Sequence, residues 1–163
     1  MGTRNSTLVK LNGEIKVAQY GQWDGYPTGQ GQTVADFIKS VDLKDFKKKV
    51  AAVKPISDEK VHDYWKQCGA DNSGFVSMDV ADKFKELHPE LSRDTGAGIL
   101  QLIADGKATE VQLDKEFKDD GLFCEYWYEI DLDNETVTMN GRKFTFKEWT
   151  KPNFMKELEN EED

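Results

Sequence analysis

The dipeptide Asn12-Gly13 constrains this chain of 163 residues more than any other feature of its sequence. It separates two runs rich in β-forming residues, 7–11 and 15–20. Both Asn and Gly tolerate positive φ, which the tightest hairpin turns require. The sequence therefore predicts a β-hairpin over residues 7–20.

Helices are predicted after the hairpin, because apolar residues recur there at helical spacing. The predicted helices cover residues 33–40, 42–54, 57–68, 79–87 and 92–104. Thr33, Asp42 and Ser57 stand at the first three starts, where a side-chain oxygen can cap free backbone amides. Pro55 is expected to end the second helix, since proline lacks the amide that a helix needs.

β-Forming residues dominate again in the last third of the chain. Three strands are predicted there, at residues 121–132, 136–139 and 143–146. Strands at both ends around a helical middle predict an α+β fold. We expect one antiparallel sheet, formed from the N-terminal hairpin and the C-terminal strands and covered by the helical middle segment.

The length fits one domain. We predict a single α+β domain over residues 1–156 and an acidic flexible tail over residues 157–163, since blocks of like charge tend to stay disordered. Cys68 and Cys124 form no C-x-x-C pair, and the sequence shows neither a secretory segment nor an apolar run of membrane length. These features predict a cytoplasmic protein in a reducing setting, without membrane insertion.

The formal net charge of −9 disfavours direct binding to nucleic acid or to anionic membranes. Residues 110–163 alone carry 16 acidic and 7 basic side chains. Such a surface favours basic partners, including proteins that bind nucleic acid in a positive groove. The plainer interpretation is that the charge serves solubility. The lysines at 44 and 47–49 are interpreted as a solvated helix face.

A loop rich in glycine and aromatic residues, from Tyr20 to Gly31, is the predicted functional site. Glycine lets a ligand approach the backbone, and Tyr and Trp supply flat faces with a polar edge. The predicted ligand-binding residues are Tyr20, Gln22, Trp23, Asp24, Tyr26 and Gln30. The alternative is an ordered loop in which Trp23 and Tyr26 fill the core and Asp24 caps a turn.

For catalysis, the candidate residues are Asp24, Glu125 and Arg4. Alternation along the predicted strand puts Glu125, Glu129 and Asp131 on one face. Together with Asp24 they could form a carboxylate cluster for acid/base work or for a divalent metal. A solvated strand face is the favoured interpretation. Glu125 lies in the most hydrophobic run, so we expect it to be buried and paired with Arg4. No metal or cofactor is implied.

The stretch 17–31, with the letters VAQYGQWDGYPTGQG, resembles a family of uncharacterised proteins from bacteriophages and prophages. The segment 122–132, LFCEYWYEIDL, and the early Thr3-Arg4 pair extend this resemblance to both ends of the chain. It implies a viral or prophage context and the cytoplasm of a host cell, without an established activity. In outline the N-terminus is also similar to amino-terminal-nucleophile hydrolases, but removal of Met1 would expose Gly2, which has no nucleophile.

Three functional hypotheses follow. The first is a phage-type accessory protein that acts by binding, as an anti-CRISPR-like inhibitor of a basic, nucleic-acid-binding host defence protein. The second is a small-molecule or nucleotide-binding protein, or a hydrolase, that uses the Tyr20–Gly31 loop. The third is assembly through the edges of exposed strands.

Overall fold

Strands from the two ends of the chain join in one sheet. The structure, a computed structural model, describes residues 2–70 and 77–162. Its strands are β1 (Asn5–Leu11), β2 (Glu14–Gly21), β3 (Lys54–Pro55), β4 (Glu110–Val111), β5 (Tyr126–Asp131), β6 (Thr136–Met139) and β7 (Arg142–Thr145). Five of them form a sheet in the order β2-β1-β5-β6-β7, and β3 pairs with β4. The α+β fold predicted from the sequence is confirmed.

The helices lie mainly between the hairpin and β5. They are α1 (Gln32–Ser40), α2 (Leu43–Ala52), α3 (Asp58–Gln67), α4 (Met78–Leu87), α5 (Ile99–Ala104), α6 (Phe146–Trp149) and α7 (Phe154–Glu162). A π-helical turn covers Pro27–Gly31, and 3₁₀ turns cover Pro89–Leu91, Gly96–Gly98 and Phe117–Asp119. In the described part of the chain, no helix has both the length and the apolar character needed to cross a bilayer.

The hairpin prediction is confirmed, whereas one pairing in the sheet differs from the prediction. β1 and β2 are antiparallel, and Asn12 and Gly13 form the turn with φ of 54° and 76°. The central pair β1–β5 is parallel, with Asn5 opposite Tyr126. Parallel neighbours need a long crossover, and the helical middle of the chain provides it.

The main hydrophobic core lies between one face of this sheet and the helices. Val9, Val17 and Ile130 contribute from the strands, and the rings of Phe37 and Phe46 pack edge to face at 4.8 Å. A separate small cluster joins α3 to α4. Its centre is the buried Phe84, whose ring stacks on that of Trp65.

Side-chain caps explain where two of the predicted helices begin. Asp42 and Ser57 accept hydrogen bonds from the amides three residues later, as predicted. Thr33 does not cap α1, which follows directly from the π-helical turn with Gly31 as the preceding residue. Residues 92–104 are not one helix, because Gly96 has a φ of +49° and a 3₁₀ turn precedes α5.

The end of the chain is helical where a flexible tail was expected. Residues 157–162 belong to α7, which buries Met155 and Leu158 against the main core. Thr28 Oγ1 also donates a hydrogen bond of 2.8 Å to the Glu159 carboxylate. Apolar residues at positions 155 and 158 therefore outweigh the repulsion among the acidic ones. Asp163 lies outside the described residues.

Candidate functional site

A cleft of about 860 Å³ separates the predicted loop from helix α4. Trp23 and Asp24 form its loop wall, and Phe84 and Lys85 form part of the facing wall. Asp94, from the turn that precedes α5, closes one end between them. We call this site the Trp23 cleft.

Hydrogen bonds fix the indole of Trp23 at the wall of the cleft. Its Nε1 donates to Asp94 Oδ1 at 2.6 Å. Its carbonyl oxygen accepts from the side-chain amides of Asn5, at 3.1 Å, and of Gln30, at 3.0 Å. The side chain remains 41% exposed. Because both its edge and its backbone are held, the indole presents an oriented face to a ligand.

Asp94 connects the two walls electrostatically. Its Oδ2 lies 3.1 Å from Lys85 Nζ on α4, while its Oδ1 accepts from Trp23. Burial acts to raise the pKa of Asp94, but the hydrogen bonds from Trp23 and Lys85 outweigh it, so the pKa is lowered. The carboxylate is therefore charged at neutral pH and holds both neighbours.

The remaining walls combine aromatic, aliphatic and charged side chains. Trp65 and Phe84 stack with ring centroids 3.7 Å apart, and Leu91 and Met78 extend the apolar surface. Among the residues that the structure describes, the charged side chains that line the cleft are Asp24, Asp82, Lys85, Arg93 and Asp94. The cleft is thus suited to a ligand with a flat or apolar group and a polar or cationic end.

The loop has an ordered backbone with little free space. Asp24 has a φ of 55°, its carbonyl accepts from the Gln30 amide at 2.8 Å, and its carboxylate accepts from Tyr26 Oη at 2.8 Å. A Cβ at Gly29 would lie 2.1 Å from the Asp24 carbonyl oxygen. Gln30 Oε1 accepts from the Ala97 amide at 2.8 Å, which ties the loop to the 3₁₀ turn before α5.

Two buried side chains anchor the loop to the core. Tyr128 Oη donates to the Gly25 carbonyl at 2.6 Å, and Trp149 Nε1 donates to the Gly31 carbonyl at 3.2 Å. A buried carbonyl needs such a partner, since leaving it unpaired costs free energy. The core therefore positions the loop wall of the cleft.

The structure divides the predicted ligand-binding residues. Trp23, Asp24 and Gln30 line the cleft. Tyr20 and Gln22 do not line it. The Tyr20 hydroxyl hydrogen-bonds to the Gln22 side chain.

Tyr20 points to the sheet face opposite the main core, where its ring packs on that of Phe117 at 5.0 Å. Tyr26 is 37% exposed and directs its hydroxyl at Asp24. Since Trp23 and Tyr26 are both exposed, neither of them fills the core. The alternative in which the two rings are core residues is therefore wrong.

Arg4 and Glu125 meet, but through their backbones. The Glu125 amide donates to the Arg4 carbonyl at 3.0 Å, and the Glu125 side chain is exposed. The guanidinium of Arg4 instead lies over the ring of Phe123, 4.9 Å from its centroid. The expectation of a buried Arg4–Glu125 pair is wrong, because β5 begins only at Tyr126 and Glu125 stands before the sheet.

The carboxylates of β5 have separate structural tasks. Glu129 lies 3.4 Å from Lys118 Nζ. Asp131 accepts hydrogen bonds from the amides of Asp133 and Asn134, which shape the turn before β6. Asp24 bonds to neither of these carboxylates nor to Arg4 or Glu125, so the proposed cluster is not formed. Over residues 2–70 and 77–162, no group of three or more His, Cys, Asp or Glu side chains is placed to hold a metal ion.

Sequence reasoning missed the facing wall of the cleft. Asp94, Arg93 and Lys85 carry no motif, and residues 92–104 read as one helix. The contact between Trp23 and Asp94 joins positions 71 residues apart. No local pattern reports such a contact, so only the fold reveals it.

No family model, curated protein or solved structure matches the chain. The candidate site is therefore defined by its own geometry, as an aromatic cleft of an α+β protein.

Proposed function

We propose that the protein acts by binding, and that the Trp23 cleft holds an extended segment of its ligand. The observation that carries this proposal is the oriented, exposed indole of Trp23 at the wall of a cleft of about 860 Å³. Tryptophan is enriched among residues that dominate binding energy. An indole already fixed by Asp94, Asn5 and Gln30 loses little conformational entropy when a ligand covers it.

The charges of the cleft indicate the chemistry of that ligand. Asp24, Asp82 and Asp94 outnumber Lys85 and Arg93, and Lys85 is already paired with Asp94. Anionic phosphates are disfavoured by such a balance, whereas amide, aromatic and cationic groups are favoured. A peptide segment with an aromatic or basic side chain has all three kinds of group.

The four tryptophans allow a direct test by nuclear magnetic resonance. The protein is labelled with ¹⁵N-tryptophan and titrated separately with N-acetyl-tryptophanamide, N-acetyl-argininamide and AMP. The signals of Trp23 and Trp65 are expected to shift with the first two probes, because both residues line the cleft. Trp127 and Trp149 lie outside the cleft lining and serve as internal controls.

A matched pair of variants completes this test. Trp23→Ala is expected to abolish the shift of the Trp65 signal. Tyr26→Ala removes another exposed aromatic ring from the same loop, but one outside the cleft lining, and is expected to leave the titration unchanged. Equal shifts of all four indole signals, or none with any probe, would contradict the proposal.

We extend the proposal to a phage- or prophage-type accessory protein that engages a basic host protein. Support comes from the resemblance of residues 17–31 and 122–132 and from the net charge of −9. A nucleic-acid-binding defence protein offers the positive groove that such a surface would occupy, which is the anti-CRISPR-like mode of inhibition. The partner would lie in the host cytoplasm.

Capture from a bacterial lysate at two salt concentrations tests this extension. A nucleic-acid-binding protein is expected at 50 mM salt and is expected to be lost at 300 mM, because screening weakens contacts between exposed charges. Recovery of the same abundant proteins at both concentrations would refute it.

A nucleotide-like ligand is the second candidate function, favoured by the flat Trp23 ring beside the polar Asp24 side chain. Binding of a nucleotide would raise the melting temperature by several degrees at saturation, as for any ligand specific to the folded state. Thermal unfolding with a panel of nucleotides measures this effect. The absence of any shift would eliminate both sequestration and hydrolysis of these compounds at the cleft.

A further inference from the structure

Two adjacent apolar side chains project from the segment 114–125, away from the cleft lining. Leu122 is 77% exposed and Phe123 is 45% exposed. A large exposed residue alone is ordinary, but adjacent ones on an ordered turn indicate a contact surface. We call this surface the Leu122 surface, and it includes the charged residues of segment 114–125.

The turn that carries the two side chains is well defined by hydrogen bonds. Asp120 Oδ1 accepts from the amides of Leu122 and Phe123, both at 3.1 Å. The Asp120 carbonyl accepts from the Cys124 amide at 2.9 Å. The guanidinium of Arg4 covers one face of the Phe123 ring, and both apolar residues nevertheless remain exposed on this turn.

Carboxylates are frequent in the segment that carries this apolar pair. The segment contains Asp114, Glu116, Asp119, Asp120 and Glu125. Its cations are Lys115 and Lys118, and Lys118 is engaged by Glu129, at 3.4 Å, and by the ring of Trp127. In the described part of the chain, no ion pair neutralises any of the five carboxylates.

The carboxylates of this segment affect the pKa of the Cys124 thiol. Burial raises the pKa of its thiol, and the charges of Asp120, Asp114, Asp119 and Glu125 raise it further, to about 11. Because several carboxylates act on one sulfur atom, their charges converge on the same region of the surface.

We infer that the Leu122 surface docks a basic, amphipathic segment of a partner protein. Apolar side chains of that segment cover Leu122 and Phe123, and its Lys or Arg side chains face the carboxylates of residues 114–125. Charge complementarity selects this occupant, since a second copy of the chain would bring like charges together. The inference rests on the proposed basic partner, and it places that partner on a surface distinct from the Trp23 cleft.

A designed peptide serves as the probe. It has 14 residues with Leu and Lys at helical spacing and a fluorescent label, and binding is measured by anisotropy at 50 mM salt. Two control peptides replace all Lys by Glu or all Leu by Gln. Only the Leu/Lys peptide is expected to bind tightly, because it alone has both the charge and the apolar face.

Variants locate the binding surface. The double variant Leu122→Ser, Phe123→Ser is expected to weaken binding about tenfold or more, the effect of losing an apolar hot spot. Glu116→Gln with Asp119→Asn is expected to weaken it by about three- to tenfold at low salt, since each removes an exposed charge.

Matched controls use the α3–α4 pair. Leu87→Ser removes an apolar residue that is 56% exposed, and Asp58→Asn with Glu59→Gln removes two exposed charges. Both are expected to leave peptide binding unchanged. None of the substituted side chains belongs to the main core, and circular dichroism verifies that each variant folds.

The outcomes separate this inference from the proposed function. Suppose that the peptide shifts the Trp23 indole signal and binds the Leu122→Ser, Phe123→Ser variant as tightly as the unmodified protein. The cleft is then the docking site, so the inference fails while the proposed function stands. Equal weakening by the matched controls refutes it too, because binding would then follow overall charge or exposure. If the Leu122 variant abolishes a concentration-dependent dimer instead, the occupant is a second copy. If no probe binds either surface, both proposals fail.

Discussion

Asp94 touches both sides of the Trp23 cleft, one oxygen accepting from the indole and the other facing Lys85. Its pKa is lowered, so the folded protein binds a proton at this site less readily than the unfolded chain does. The resulting stabilisation is present above the ordinary pKa of 3.8 and is lost as the pH falls through the lower folded value.

The lowered pKa of Asp94 gives a prediction for how the cleft responds to pH. The indole signal of Trp23 is expected to stay constant at neutral pH and to move only below about pH 3.8, when Asp94 becomes protonated. Asp94→Asn keeps an acceptor for the indole but carries no charge. It is expected to remove this transition and to lower the free energy of unfolding by about 1 kcal/mol or less, since the pair is partly exposed.

Nuclear magnetic resonance spectra of the tryptophan indoles, recorded over a pH titration, check the prediction, with Asp131→Asn as the control. Asp131 is also a carboxylate with a lowered pKa, but it serves the turn before β6. If the Trp23 transition persisted in Asp94→Asn as it is expected to persist in Asp131→Asn, general acid unfolding and not Asp94 would be its cause.

Gly29 shows how little freedom the loop has. A methyl group there would lie 2.1 Å from the Asp24 carbonyl oxygen, a distance that real contacts do not reach. Gly29→Ala is expected to lower the free energy of unfolding by about 1–3 kcal/mol, because the backbone must shift to admit the methyl group. Urea unfolding measures the change.

Gly121→Ala is the matched control, because a Cβ at Gly121 meets no atom within 4 Å. It is expected to be neutral in the same urea experiment. A loss of stability in Gly121→Ala as large as that in Gly29→Ala would show that helical or turn propensity, and not the contact with Asp24, sets the effect.

At the scale of helices and strands, the sequence predicts those features that a few neighbouring residues determine. The Asn12-Gly13 turn and the caps Asp42 and Ser57 act within three or four residues, and all of them are confirmed. Local propensity fails where the backbone takes a special conformation. Gly96, with positive φ, interrupts a stretch whose apolar residues have helical spacing.

The pairings that build the site are non-local, and therefore they were not predictable from the sequence. β1 pairs with β5 across the helical middle, and the Trp23–Asp94 bond joins the loop to a turn before α5. Composition singled out the loop, since glycines and aromatics act locally, and Trp23, Asp24 and Gln30 from it line the cleft. The facing wall was not predicted, because Lys85 and Asp94 belong to no motif and only the fold brings them to the cleft.

Helix α7 gives a prediction at the element scale. Leu158 is buried in the main core, so Leu158→Ala is expected to cost about 2–5 kcal/mol of unfolding free energy. Glu157→Ala changes the exposed neighbour and is expected to cost less than about 0.5 kcal/mol. Denaturant unfolding compares the two. Equal, small effects would mean that this end of the chain does not pack against the core.

At the scale of the whole molecule, residues 2–70 and 77–162 contain two hydrophobic clusters of unequal size. The sheet and the helices α1, α2 and α5 share the main core, whereas α3 and α4 depend on a small cluster around Cys68, Phe84 and Leu91. Regions with few buried contacts open at lower free energy than the rest.

Hydrogen exchange is expected to resolve this difference. Amides of α3 and α4 should exchange well before those of β5 and β6, because the small cluster can open while the sheet stays closed. Mass spectrometry of peptic peptides measures it. Phe84→Ala should accelerate exchange in α3 and α4 alone, whereas uniform protection in the two regions would mean that the molecule opens as one unit.

The interior place of β1 in the sheet, between β2 and β5, has a consequence for synthesis on the ribosome. β1 emerges early, but its parallel partner β5 lies more than a hundred residues later, since Asn5 pairs with Tyr126. At about 5–20 residues per second, translation of the interval takes on the order of ten seconds. Throughout that time the nascent hairpin displays an unpaired strand edge with free backbone N–H and C=O groups, which a chaperone or a neighbouring nascent chain can capture. Slower synthesis of the helical middle would therefore lower the yield of folded protein.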